Sequence, residues 1–169
     1  MQPFFFCEGE SEEAYVNLLK SHYRLPSIQI NAKVGSNNID NEFIQKYKQD
    51  KPTHEKDQDF LMYDLDVKGI RERLKKVSDT ILLLSNPCLE LWFLLHFKKQ
   101  TGQIKSKDCC DELSKRNRNY KKGIMDKVLR EKLIAKKDQA IARAKVLNSP
   151  QNPSSTIYKF LDVLDGLKK

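Results

Sequence analysis

Phe4-Phe5-Phe6-Cys7-Glu8-Gly9-Glu10 is a short apolar run closed by carboxylates, and Phe60-Leu61-Met62-Tyr63-Asp64-Leu65-Asp66 repeats the plan further along the chain. Uninterrupted apolar runs of this length read as strands covered on both faces, the mark of a parallel sheet. Thr80-Ile81-Leu82-Leu83-Leu84 is a third such run, and Ile28, Ile30 and Ala32 alternate as a fourth strand would. Helical spacing of apolar residues fills the intervals, over residues 12–24, 39–49, 67–77 and 88–97. Strands alternating with helices predict an α/β fold, with a mostly parallel sheet flanked by helices.

Beyond Gly102 the pattern is helical only, over residues 107–116, 125–147 and 154–167. The expected organisation is an α/β core over residues 1–100. A basic helical extension over residues 101–169 packs on it, making one structural domain. Ser11 is expected to cap the first helix, and Pro87 to open the helix that follows the Thr80 strand.

Composition narrows the class. With 169 residues and 39% hydrophobic content the chain can build a core of its own. No apolar stretch reaches the length of a membrane span, so no membrane partner is expected. Met1-Gln2-Pro3 shows no secretory leader, and Cys7, Cys88, Cys109 and Cys110 show no CxxC spacing. A reduced, cytoplasmic setting is expected, without a zinc site.

The net charge is +8, yet residues 113–147 alone carry twelve Lys or Arg against three acids, a local excess of +9. Concentrated positive charge reads as a footprint for a nucleic-acid backbone, with a solvated helical face as the alternative. Arg116, Arg118, Tyr120, Lys121 and Lys122 are its densest part, where Tyr120 could stack a base between phosphate-binding cations. Lys68 is placed to touch a phosphate next to the second acidic cluster.

In an open α/β sheet, chemistry gathers beyond the carboxyl ends of the strands. Glu8, Asp64 and Asp66 would arrive there together, and hard carboxylate oxygens suit Mg²⁺. The two aspartates, at i and i+2, face the same way if the strand continues through them. Glu10 and Glu12 are lesser candidates: Glu10 could reach the metal, while the helix dipole is the favoured role for Glu12. Glu90 interrupts the apolar helix Leu89-Glu90-Leu91-Trp92-Phe93-Leu94-Leu95. A carboxylate in such a place must be paired, hydrogen-bonded or metal-bound.

Taken together, Glu8-Gly9 on the first strand and Asp64-Leu65-Asp66-Val67-Lys68-Gly69 on a later one resemble the Toprim domain of topoisomerases, primases and OLD-type nucleases. A narrower resemblance spans nearly the whole chain. Cys7-Glu8-Gly9-Glu10-Ser11-Glu12, Asp64-Leu65-Asp66, the block from Ser85-Asn86-Pro87-Cys88 to His96-Phe97, and Asn152-Pro153-Ser154-Ser155-Thr156 together resemble the RloB-like family. These are Toprim-like proteins encoded beside an ATPase in bacterial abortive-infection (anti-phage) systems.

The resemblance implies a nuclease using Mg²⁺ or Mn²⁺ on DNA or RNA, with an ATPase partner. Glu8 would be a general acid or base, Asp64 and Asp66 metal ligands, and Glu90 a further catalytic candidate. Asn86 and His96 would stand beside the site. A non-catalytic nucleic-acid-binding subunit is the alternative, and a two-fold homodimer the default assembly. The chain carries no GxxxxGK[ST] motif and no winged-helix or zinc module of a topoisomerase or primase, which disfavours strand passage and primer synthesis.

Overall fold

The structure, a computed structural model, describes residues 2–32, 34–35 and 37–167. Its strands are β1 (Pro3–Cys7), β2 (Gln29–Ala32), β3 (Gln58–Asp64), β4 (Thr80–Asn86) and β5 (Ser154–Ser155). They form one sheet in the order β2-β1-β3-β4-β5. The first four are mutually parallel and β5 runs antiparallel to β4. The helices are α1 (Glu10–His22), α2 (Asn41–Lys48), α3 (Ile70–Leu74), α4 (Leu89–Leu95), α5 (Ser106–Arg116), α6 (Lys127–Ala135), α7 (Lys137–Lys145) and α8 (Tyr158–Leu167). The sheet is mostly parallel and flanked by helices on both faces, consistent with a Toprim-like α/β fold.

Alternation along the strands explains why these runs are apolar throughout. Phe5, Cys7, Phe60, Met62 and Leu83 point to one face, against α1, α4 and the helices from α5 onward. Phe4, Phe6, Leu61, Tyr63 and Leu84 point to the other, against α2 and α3. Both faces of the central strands β1 and β3 therefore lose water, and the period-two polar signal disappears there. Phe5 stacks on Phe60 at 4.8 Å, and Phe160 of α8 meets both edge-on, at 4.5 and 5.0 Å.

From β1 the chain steps outward to β2, then returns to the opposite side as β3. The winding direction reverses between β1 and β3, so their carboxyl ends flank the crevice where α/β sheets bind ligands.

Several expectations need correction. The helix expected over residues 125–147 is two helices, broken at Lys136, whose backbone (φ −108°, ψ 15°) leaves the α region. The last helical pattern begins with the short strand β5, and α8 starts only at Tyr158. Polar Ser154 and Ser155 carry no strand signal. Their pairing comes from the edge of β4, with Thr156 Oγ1 accepting the Leu84 amide at 2.9 Å and Thr156 N donating to Leu84 O. The helix expected over residues 67–77 shrinks to Ile70–Leu74. Ser11 is not a cap: α1 begins at Glu10 with Gly9 before it. Pro87 stands outside α4, whose N-cap is Cys88.

Candidate active site at the carboxyl ends of β1 and β3

The turn after β1 and the end of β3 open a cavity of about 360 Å³ lined by Glu8, Gly9, Glu10, Ser11, Glu12, Asp64, Lys122 and Gly123. Three elements supply it. β1 ends in the Glu8-Gly9 turn, and α1 begins at once, so Glu12 projects back from the first helical turn over that turn. Room is tight: a Cβ on Gly9 would lie 3.2 Å from Glu12 Oε2. β3 contributes Asp64 as its last residue. The loop between α5 and α6 brings Lys122 and Gly123 from the basic extension. Among the lining residues, four carboxylates face a single cation.

Asp64 is 9% exposed and uses one oxygen to accept the amide of Leu89 at 2.8 Å, so it satisfies a free N–H at the start of α4. Burial, then the charges of Glu12, Glu90 and Asp66, push its pKa up to about 8. Glu12 is 6% exposed, and burial followed by the Glu90 charge raises it. Burial and Asp66 raise Glu8, with Lys122 opposing them. For Lys122, partial burial acts downward, but Glu90 and Asp64 outweigh it and its pKa rises. The carboxylates thus form one mutually repelling group in low dielectric, a common property of functional sites.

Glu90 is fully buried behind this group. One oxygen accepts the Tyr120 hydroxyl at 2.7 Å, and Oε2 has no partner among the described residues.

The expected site residues separate on this framework. Glu8, Glu10 and Asp64 do line one cavity. Asp66 is close enough for its charge to act on Glu8 and Asp64, but β3 stops at Asp64 and Asp66 sits in the exposed turn that follows. The i, i+2 alignment of a continuing strand therefore does not hold. Lys68 is exposed in the same turn.

Asn86 turns away, its amide donating to Pro150 O at 2.8 Å. His96 caps the far end of α4, about 10 Å along the helix from Leu89. It is buried, its Nδ1 meets Trp92 O at 2.9 Å, and burial lowers its pKa to about 4, so it stays neutral.

The cluster of residues 116–122 is not one patch. Arg116 pairs with Glu112 at 2.9 Å, Tyr120 spends its hydroxyl on Glu90, and of the exposed Arg118, Lys121 and Lys122 it is Lys122 that lines the cavity. Further along, Lys137 and Lys145 pair with Asp165 and Asp162, while Arg143 donates to Leu95 O. Much of the +9 segment is thus spent on ion pairs within the extension, and Arg143 ties it to the core. Glu12, assigned from sequence to the helix dipole, is the site residue that reading missed.

In chemical kind, the donor set fits a hard divalent cation, since every donor is a carboxylate oxygen. Among the described residues no three His, Cys, Asp or Glu side chains are gathered as a ready cage. Mg²⁺ is commonly held by one or two carboxylates, with waters and substrate phosphate completing its shell. Glu8 and Asp64, with Asp66 beside them, are the residues that would hold it. When bound, the ion would supply positive charge against a ligand's anionic oxygens and a more acidic water.

The family model for RloB-like protein matches residues 4–164. This chain belongs to the RloB-like family. The match takes in both acidic clusters, the Ser85–Phe97 block and the Asn152–Thr156 block, so it spans the α/β core and the extension together. The last block has a structural role: Asn152 Oδ1 accepts from Ile104 N and its amide donates to Ile104 O, tying the C-terminal segment to the start of α5. The chain matches no curated protein and no solved structure.

Proposed function

We propose that this RloB-like protein is a Mg²⁺- or Mn²⁺-dependent nuclease that hydrolyses phosphodiester bonds in DNA or RNA. In this reading it is the effector of an anti-phage abortive-infection system and works with an ATPase partner. The observation that carries the reading is the convergence of Glu8, Glu12 and Asp64 with Lys122 at the switch point of the sheet. Carboxylates held there against desolvation and mutual repulsion are costly to keep, and a bound cation relieves both terms.

The chain's own residues then divide the work. Asp64, fixed by Leu89 N, presents its second oxygen from a rigid strand end. Glu8, with a raised pKa and partial exposure, is suited to carry a proton to or from the reacting oxygen. Lys122 offsets phosphate charge that the carboxylates would otherwise repel.

The test is cleavage of DNA and of total RNA with Mg²⁺ or Mn²⁺, with the partner ATPase absent and present. Wild type is compared with Asp64→Ala/Asp66→Ala. Metal-dependent products that vanish in the double variant are expected. No products under any condition, with the variant binding nucleic acid as well or better, would leave a non-catalytic binding subunit.

A further inference from the structure

Lys122 is the sole cation among the described residues lining the cavity, and it comes from the loop joining α5 to α6, outside the α/β core. A lysine side chain on a free loop loses much rotamer entropy when it must hold one position. Here the loop is pinned on both sides of it. Two residues earlier, Tyr120 donates its hydroxyl to Glu90 at 2.7 Å. One residue later, Gly123 donates its amide to Ser11 Oγ at 2.8 Å. The turn is braced internally by Tyr120 N on Asn117 O (2.9 Å) and Ile124 N on Lys121 O (3.0 Å). Asn117 Nδ2 reaches Asp126 Oδ2 across its base.

Glu90 is otherwise hard to explain. It is fully buried in an apolar helix, with one oxygen unpartnered, where leucine would pack at less cost.

We infer that residues 117–126 form a clamp that sets Lys122 over the carboxylate cavity, with Tyr120 and Glu90 as positioning residues acting through Lys122. The activity part of this inference rests on the nuclease reading; the clamp itself does not. Without the Tyr120 hydroxyl, the Glu90 side chain keeps no hydrogen bond, and Gly123 to Ser11 is the one of the two that remains between loop and core.

The experiment combines amide hydrogen exchange with cleavage kinetics. Exchange is measured over residues 118–124 and over β1 and β3, in wild type, Tyr120→Phe and Tyr120→Phe/Glu90→Leu. The double variant leaves no orphaned carboxylate, so it folds even where the single change strains the core. Loop exchange should rise about tenfold with the sheet amides unchanged, as expected for loss of a buried hydrogen bond.

In cleavage, Tyr120→Phe should lower kcat about tenfold and leave KM within about twofold. Adding it to Lys122→Ala should change nothing further, since both remove the same contribution. Unchanged loop exchange in both variants overturns the clamp. So does an opened loop with wild-type kcat, or additive effects of the Tyr120 and Lys122 changes. If wild type cleaves nothing, the nuclease reading fails, while the exchange data still decide whether the loop is pinned.

Discussion

Asp64 holds two roles whose demands conflict. One oxygen satisfies the Leu89 amide, which favours a charged carboxylate, while burial among Glu12, Glu90 and Asp66 favours a protonated one. Burial wins, and the pKa moves from the ordinary 3.8 to about 8. The unfolded chain releases this proton near 3.8, so between that value and about 8 the folded state binds more protons. Stability from this group is therefore full at low pH and declines as pH rises from about 4 to about 8. Glu8 and Glu12, also raised, add in the same direction.

Asp64→Asn keeps an oxygen for Leu89 and cannot ionise. The metal-free variant should melt a few degrees above wild type at pH 8 and close to it at pH 4. Melting curves in EDTA from pH 4 to 9 check this, and a wild-type midpoint that does not fall across that range would count against it. The sequence marked Glu8 and Asp64 because each follows an apolar run. Glu12 escaped because a first-turn glutamate has an ordinary reason to be there. Nothing local reveals that this helix starts so close to β1 that Glu12 must face the cavity.

Among the elements, the loop between α5 and α6 is the one whose sequence says least about its place. Arg118 to Gly123 reads as a charged surface because the partners of Tyr120 and Gly123 are distant in sequence. Tyr120 meets Glu90 thirty positions away, and Gly123 meets Ser11 at a separation of 112. Gly123 has a mechanical reason to be glycine: φ is +81°, and a Cβ would come within 3.0 Å of Glu10 Oε2 and 3.3 Å of Glu10 Cβ. Gly123→Ala should cost about 1–2 kcal/mol through backbone conformation alone. Urea titration is the check, with the loss expected to accompany faster exchange of the loop amides. An unchanged midpoint would mean that the loop shifts freely and is not held against α1. The central strands, by contrast, were legible as buried because their runs are apolar at every position. Only β5, two serines long, was invisible, since its pairing is supplied by β4.

At the scale of the molecule, the α/β half and the helical extension share one core. Phe160 of α8 packs on Phe5 and Phe60, Trp92 and Phe93 of α4 lie in the same cluster as Leu129 and Leu133 of α6, and β5 closes the sheet. Phe160→Ala should destabilise by about 3–5 kcal/mol, measured by urea unfolding. Residues 1–100 expressed alone should lack a cooperative unfolding transition, because Phe5, Phe60 and α4 would lose the cover that α6 to α8 give them. A cooperative transition in that fragment would show the extension to be an accessory. No helix among the described residues is long and apolar enough to cross a membrane.

By itself the sequence determined the class of fold, the parallel strands, the two acidic strand ends and the family, because these depend on local patterns of apolar and charged residues. Only the tertiary structure decided that Glu12 joins Glu8 and Asp64, that Asp66 sits in the exposed turn beside them, that His96 stands apart, and that the basic extension spends much of its charge internally. Those outcomes depend on hydrogen bonds, ion pairs and burial between residues far apart in the chain, which no local pattern encodes.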